Sequence, residues 1–212
     1  MEVGKLVESS ASVSVEEKLR RTITWYRVPL MAVAIVALVG CMSRVESFWY
    51  GVPVAIFGEL IQLWATSHLH KDKHLTISGP YSHIRNPMYT GRFFLGLGLF
   101  IMTWNPSLPW TAALTIGYVV LYAIYAQMRV SREEERLRGI FGESYEHYCS
   151  ETHRWLPIIK PYSRSEKRRA SWTQACVNHE QIVAIGTIVV LVAIYLRIER
   201  FPDLCWSIFR VG

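Results

Sequence analysis

The sequence predicts an all-α fold, an integral membrane helical bundle of about five transmembrane helices, and three observations carry that expectation. Hydrophobic residues fill 51% of the 212 positions and charged residues 19%, with a mean hydropathy of +0.18. That balance excludes a disordered chain, which needs low hydrophobicity and high net charge. The apolar residues gather in five long blocks, and the charges are pooled unequally in the segments between them.

The blocks justify the elements in order. Residues 25–41 hold one charge, Arg27, and follow a polar head of 24 residues. No small-residue cleavage site follows this block, so it reads as a retained span rather than a signal peptide. Residues 48–67 hold one charge, Glu59, and residues 110–128 and 182–196 hold none. Residues 93–104 are uncharged but short, and reach span length only by extending back through residues 88–91. A spanning helix needs about 20 mostly apolar residues, and buried helices of soluble proteins rarely run so long without a polar face.

Charge placement sets the expected orientation. Of 23 Lys and Arg, 19 lie before or at the start of the first block, in the 68–92 loop or in the 129–181 segment. The other four are Arg44, Arg197, Arg200 and Arg210. The positive-inside rule places the N-terminus and both long polar segments in the cytoplasm. Basic edges facing anionic lipid account for the net charge of +6, so no nucleic-acid partner is expected. Four cysteines without a CxxC pair make neither a disulfide framework nor a zinc ribbon. The expected organisation is a cytoplasmic segment at 1–24, a membrane core at 25–160, a basic connector at 161–181 and a final transmembrane helix with its tail at 182–212.

Within the core, residues 105–109 (Asn-Pro-Ser-Leu-Pro) read as a tight turn that makes an antiparallel hairpin of the third and fourth blocks. The helical pattern of the fourth block continues beyond the membrane through Arg129, Arg132, Glu133, Arg136 and Leu137 until Gly142 ends it. A second short helix over residues 143–149 carries Tyr145 and Tyr148 on one face. Pro157 disfavours helix at Leu156.

The most distinctive passage is Gly79-Pro-Tyr-Ser-His-Ile-Arg-Asn-Pro-Met-Tyr-Thr-Gly91. Its Gly-Pro and Asn-Pro pairs are turn signals that frame a loop presenting Tyr81, His83, Arg85 and Tyr89 at the membrane edge. An interfacial aromatic and basic belt uses the same residue types, but two turns six residues apart are more constraint than a belt requires. Gly91, Gly96 and Gly98 suit close helix packing in lipid, or close approach of a flat ligand to the backbone. Arg129 and Glu133 share a helical face, as an i,i+4 ion pair would. Three consecutive carboxylates, Glu133 to Glu135, directly after a span instead invite a cationic ligand. Glu59, with Gln62 a turn away, is an intramembrane carboxylate, either functional or a hydrogen bond within the bundle. His68, His70 and His74 lack a Cys or carboxylate at ligand spacing, so no metal site is expected. No dinucleotide or Walker glycine loop occurs.

These residues resemble a known family. The pattern Gly79-Pro-Tyr-x3-Arg-Asn-Pro-x-Tyr-x-Gly91 is similar to the first signature of isoprenylcysteine carboxyl methyltransferases and their bacterial relatives. Glu133-Glu-x2-Leu-x3-Phe-Gly142-x2-Tyr145-x2-Tyr148, followed by Arg154 and Pro157, resembles the second. Phospholipid N-methyltransferases and sterol Δ14-reductases share parts of the pattern. The resemblance, which covers roughly residues 55–160, implies an S-adenosylmethionine-dependent membrane methyltransferase whose pocket is closed by the C-terminal cytoplasmic segment. It implies that Thr76, Gly79, Tyr81, Arg85, Pro87, Tyr89 and Gly91 cradle the cofactor, with Gly96 and Gly98 matching a Gly-x-Gly of the phospholipid enzymes. It also implies that Glu133 and Glu134 form the family's Glu-Glu pair and that Arg129 lies near the reacting carboxylate. Asn86 stands where the family usually has His.

The implied catalytic residues are Arg129 and Glu133. A carboxylate acceptor needs a cation to position it, whereas an amine or thiol needs a base such as Glu133, His83 or Tyr89. The expected partners are a lipophilic small-molecule or lipid substrate and membrane lipids, and the expected setting is a bacterial inner membrane. The leading reaction is O-methylation of an isoprenylcysteine-like carboxylate. Phospholipid N-methylation and small-thiol S-methylation are the nearest alternatives. A sterol-reductase-like NADPH-dependent oxidoreductase and a non-catalytic membrane scaffold are the rivals from other classes.

Overall fold

Long apolar blocks with few polar breaks leave the backbone no partner but itself, and helices result. The computed structural model describes residues 37–40, 42, 44–70 and 74–200. The 1–24 segment and the first apolar block up to residue 36 lie outside the described residues, and residues 37–40 are helical. All that follows belongs to the compact unit Met42–Gly212. Its helices are α1 (Val45–His68), α2 (Pro87–Ile101), α3 (Trp110–Phe141), α4 (Glu143–Glu151), α5 (Trp172–Val177) and α6 (Glu180–Arg200). A 3₁₀ turn, Gly79–Ser82, precedes α2. Among the described residues there is no strand, only an isolated bridge between Ile84 and His153.

Three of these helices, α1, α3 and α6, are long and apolar enough to cross a membrane. The expected count of five is therefore not reached among the described residues. The first block falls largely outside them, and α2 has only 15 residues, about 22 Å at 1.5 Å per residue. Its N-terminus is set by Pro87, whose fixed φ and missing N–H suit the first helical turn. The short helix is accommodated by a close partner. Gly51 faces Gly98 and Gly58 faces Gly91 across the antiparallel α1–α2 seam. A Cβ on Gly58 would sit 2.6 Å from the Gly91 carbonyl oxygen, and one on Gly98 would sit 2.7 Å from that of Gly51. The backbones touch, as small residues allow in lipid.

The α2–α3 hairpin turns as expected. Asn105 accepts the Ser107 N–H on its side-chain oxygen (3.0 Å) and the Leu108 N–H on its carbonyl (2.9 Å). The two helices then pack through aromatic rings: Tyr118 stacks on Phe93 and Phe100, and the Tyr122 hydroxyl donates to the Tyr89 carbonyl at 2.7 Å. Helix α3 has 32 residues, about 48 Å, so its charged last third projects beyond a hydrocarbon core of about 30 Å. Gly142, at φ +50°, ends it where the sequence placed the stop and starts α4.

From α4 the chain returns over the polar end of the bundle as an extended connector, residues 152–171, to α5 and α6. Asn178 donates to the carbonyls of Thr66 and Leu69 (2.9 Å each), and Gln174 to Leu69 (2.8 Å), fastening α5 to the end of α1. Along the α1–α6 seam Thr187 donates to Glu59 at 3.1 Å. That contact is the interhelical hydrogen bond considered for this intramembrane carboxylate.

Candidate functional site

The loop carrying the first motif is built before it is used. Gly79 adopts φ +58°, a left-handed conformation that glycine takes without penalty, and the His68 ring fills the space where a Cβ would be. His68 Nδ1 lies 3.1 Å from the Ser78 hydroxyl, so the loop is tied to the end of α1. The second motif closes on it from the other side. The buried Tyr148 hydroxyl donates to the Tyr81 carbonyl at 2.6 Å, the Arg85 N–H donates to His153 O at 3.0 Å, and the Arg85 guanidinium donates to Cys149 O at 3.2 Å. Asn86 donates to Arg154 O at 3.3 Å. The connector adds the Ile158 N–H to His83 O (2.9 Å) and the Tyr162 N–H to Ser82 O (2.8 Å). Two motifs far apart in the chain therefore fold as one body around a Tyr145, Tyr148 and Tyr162 cluster packed by Leu75, Ile77, Leu137 and Phe141. Burial pushes the Tyr81 and Tyr148 phenols well above their ordinary range.

The three consecutive carboxylates go three ways, because successive residues on a helix are about 100° apart. Glu134 is 1% exposed and takes Arg154 at 2.5 Å and Arg85 at 3.4 Å. A buried carboxylate with two arginines is the pairing that low dielectric demands, and it knits α3, the motif loop and the connector. Glu133 instead pairs with Arg136 at 2.6 Å, an i,i+3 partner rather than the i,i+4 Arg129. Glu135 faces outward.

Between these parts lies a cavity of about 380 Å³, within the size range of small-ligand sites. Its wall contains Thr76, Tyr81, Arg85, Asn86, Tyr89, Arg129 and Glu133, together with Arg92 and Arg136 and the apolar Leu69, Leu75, Met88, Leu137 and Phe141. A second cavity, about 760 Å³ and almost wholly apolar, runs along the α2–α3 groove past Phe93, Phe94, Tyr122, Ala123 and Ala126 to Trp155. Tyr89 lines both. Arg129 lies within electrostatic reach of the Tyr89 hydroxyl and of Glu133, and the Arg92 guanidinium sits 5.6 Å from the Tyr89 ring centre. The polar and the apolar space thus meet at one aromatic side chain with arginines beside it.

Comparison with known proteins bears on what this arrangement is for. The family described as phospholipid methyltransferase matches residues 28–144, more than half of the chain. The chain belongs to that family. It is 30% identical over 133 residues to a probable protein-S-isoprenylcysteine O-methyltransferase of rice (Oryza sativa subsp. indica), covering 55% of this chain and 66% of the relative. It is 29% identical over 141 residues to the human protein-S-isoprenylcysteine O-methyltransferase, covering 66% of this chain and 44% of the relative. A cobalt-zinc-cadmium resistance protein, CzcN, of Cupriavidus metallidurans is 28% identical over 136 residues. The chain thus spans about two fifths to two thirds of the curated relatives it matches. No solved structure matches it. The family membership agrees with the resemblance read from the two motifs.

In this family member most, but not all, of the expected site residues come together. Thr76, Tyr81, Arg85, Tyr89, Arg129 and Glu133 line the polar cavity. Gly79 and Pro87 shape the loop behind it. Gly91 and Gly98 lie against α1, and Gly96 lies against the Tyr118 ring, so these three serve helix packing and do not line the cavity. Glu134 is likewise a partner of arginines rather than part of the wall. His83, weighed as a base, has its Nδ1 on Ile158 O at 2.8 Å and stands outside the cavity. His70 and His74 lie with their ring centres 4.8 Å apart, and no three metal-ligating side chains converge among the described residues. Arg92 and Arg136 were missed. The signal for both was three-residue spacing, from Tyr89 and from Glu133 respectively, which puts them on the same helix faces.

Proposed function

We propose that this protein transfers a methyl group from S-adenosylmethionine, held in the polar cavity, to a lipophilic acceptor lying in the apolar groove, and that the acceptor group is a carboxylate. The observation that carries this reading is the junction at Tyr89, where a charged cavity and a lipid-facing groove share one wall. The wall chemistry fits the donor. Glu133 is an anion for an ammonium or sulfonium group, Arg85, Arg92 and Arg136 are cations for a carboxylate, and Leu69, Leu75, Leu137 and Phe141 offer an apolar seat for a flat base. When bound, S-adenosylmethionine supplies an electrophilic methyl on a positively charged sulphur.

The residues of this chain have positioning to do rather than proton chemistry. A carboxylate is already a nucleophile and needs no base; it needs a cation that fixes its direction. We assign that part to Arg129, which lines the polar cavity within electrostatic reach of Tyr89. The apolar lining of the groove, Tyr89 and Tyr122 among it, disfavours water beside the acceptor, so that alignment and dryness supply the rate. Homology to proteins named isoprenylcysteine O-methyltransferases supports the carboxylate over an amine or thiol.

The test uses the whole protein in lipid. Membranes incubated with methyl-labelled S-adenosylmethionine are extracted, and the label in the lipid fraction is treated with mild base. Base-labile label is the expected result, and base-stable label would overturn the carboxylate assignment. Arg129→Ala is expected to lower turnover at least about a hundredfold, the scale of a lost charge-positioning contact, while S-adenosylhomocysteine affinity measured by calorimetry stays within about threefold. An Arg129→Ala protein with full turnover would remove Arg129 from the reaction.

A further inference from the structure

The connector between α4 and α5 has a composition its packing does not explain. Residues 155–172 contain five basic residues, Lys160, Arg164, Lys167, Arg168 and Arg169, against one acidic residue, Glu166. Arg168 is engaged by Glu166 and by His74, both at 2.8 Å. Lys160, Lys167 and Arg169 are exposed and form no ion pair with any described residue. Interleaved with them are apolar side chains that also face outward: Leu156 is 72% exposed, Ile159 fully exposed and Trp172 61% exposed.

Each end of the segment carries a tryptophan beside a helix long and apolar enough to cross a membrane. Trp155 lines the apolar α2–α3 groove and donates to Gln127 at 3.3 Å, two residues before Arg129 opens the charged stretch of α3. Trp172 opens α5, ten residues before the apolar run of α6 begins at Ile182. Tryptophans concentrate at the interface of a bilayer, with the ring among the headgroups. Lysine and arginine between them, with aliphatic side chains at intervals, make a surface complementary to negatively charged headgroups over acyl chains.

We propose that residues 155–172 form a docking surface for anionic phospholipid, with Leu156, Ile159 and Trp172 entering the interface and Lys160, Lys167 and Arg169 engaging the phosphates. The surface lies outside the donor cavity and shares only Trp155 with the apolar groove, and the inference does not depend on the reaction proposed above. The connector's opposite side is fastened to the motif loop through His83 O and Ser82 O, which leaves the outward side free for lipid.

The experiment places the full-length protein in nanodiscs of phosphatidylcholine alone or of phosphatidylcholine with phosphatidylglycerol, and follows amide hydrogen exchange of the 156–172 peptides. Exchange is expected to slow about tenfold with phosphatidylglycerol, the scale of a few lysine–headgroup contacts. In Lys160→Gln/Lys167→Gln/Arg169→Gln the two lipids are expected to give the same exchange, and in the charge-keeping Lys160→Arg/Lys167→Arg variant the difference is expected to persist. Equal exchange of the parent in both lipids would overturn the proposal. So would a triple-glutamine variant that still distinguishes them while its α1 and α3 peptides exchange as in the parent. Slowing by phosphatidylcholine alone would assign the surface to apolar insertion without headgroup charge, and would overturn it too.

Discussion

Glu134 shows how much one side chain decides here. It is nearly sealed from solvent and joins two arginines from different parts of the chain. Glu134→Gln leaves Arg85 and Arg154 facing each other without a counter-charge, and removing one partner of such a buried group costs about 3 kcal/mol or more. The variant is expected to unfold in detergent at a clearly lower temperature, and thermal denaturation followed by circular dichroism checks it. A variant as stable as the parent would show that the two arginines find other acceptors. Tyr148→Phe is the milder companion. It strips the Tyr81 carbonyl of its buried donor at 2.6 Å, and is expected to cost about 1–3 kcal/mol in the same measurement. The Glu-Glu pair was legible in the sequence as a pair, yet the division of labour within it was not. Successive helical positions point in different directions, and which of them meets the core depends on what packs against the end of α3, here Arg154 of the connector and Arg85 of the motif loop.

At the level of elements, most of what the sequence announced is present: the long third helix and its glycine stop, the short tyrosine-bearing helix, and the proline-flanked loop between α1 and α2. These were readable because each rests on a local rule of capping or turn formation. The glycines of α2 were ambiguous because an absent side chain serves a ligand and a neighbouring helix equally well. In the structure Gly91 and Gly98 meet Gly58 and Gly51 of α1. Adding one methyl at Gly58 brings it to 2.6 Å from a backbone oxygen that has nowhere to go. Overpacking of this kind costs about 1–3 kcal/mol, so Gly58→Ala is expected to lower the melting temperature. Gly117→Ala, where nothing lies within 4 Å of the added atom, is expected to leave it unchanged or raise it slightly. Equal melting temperatures for the two variants would mean that α1 and α2 separate more readily than their contact implies.

For the whole molecule, the separation of a charged cavity from an apolar groove predicts separable effects. Ala123 lines the groove and is exposed to it, and Ala123→Trp is expected to raise KM for a lipid acceptor about tenfold or more by filling the space. The affinity for S-adenosylhomocysteine is expected to be unaltered, and a loss of that affinity would merge the two spaces into one. The groove itself could not be read from the sequence. An apolar helix surface facing lipid and one facing a lipid-like ligand have the same composition, and only the packing of α3 beside α2 makes a groove between them. The α1–α2 pair, locked backbone to backbone through its four glycines, behaves as a single rigid plank. Helix α3 is pinned to that plank by the Tyr118 and Tyr122 hydroxyls, which donate to Phe93 O at 2.9 Å and to Tyr89 O at 2.7 Å, and to the motif loop by Glu134. Since α3 also carries Arg129 and Glu133, these two side chains of the cavity wall share the footing of that plank: wall and floor are one piece of joinery.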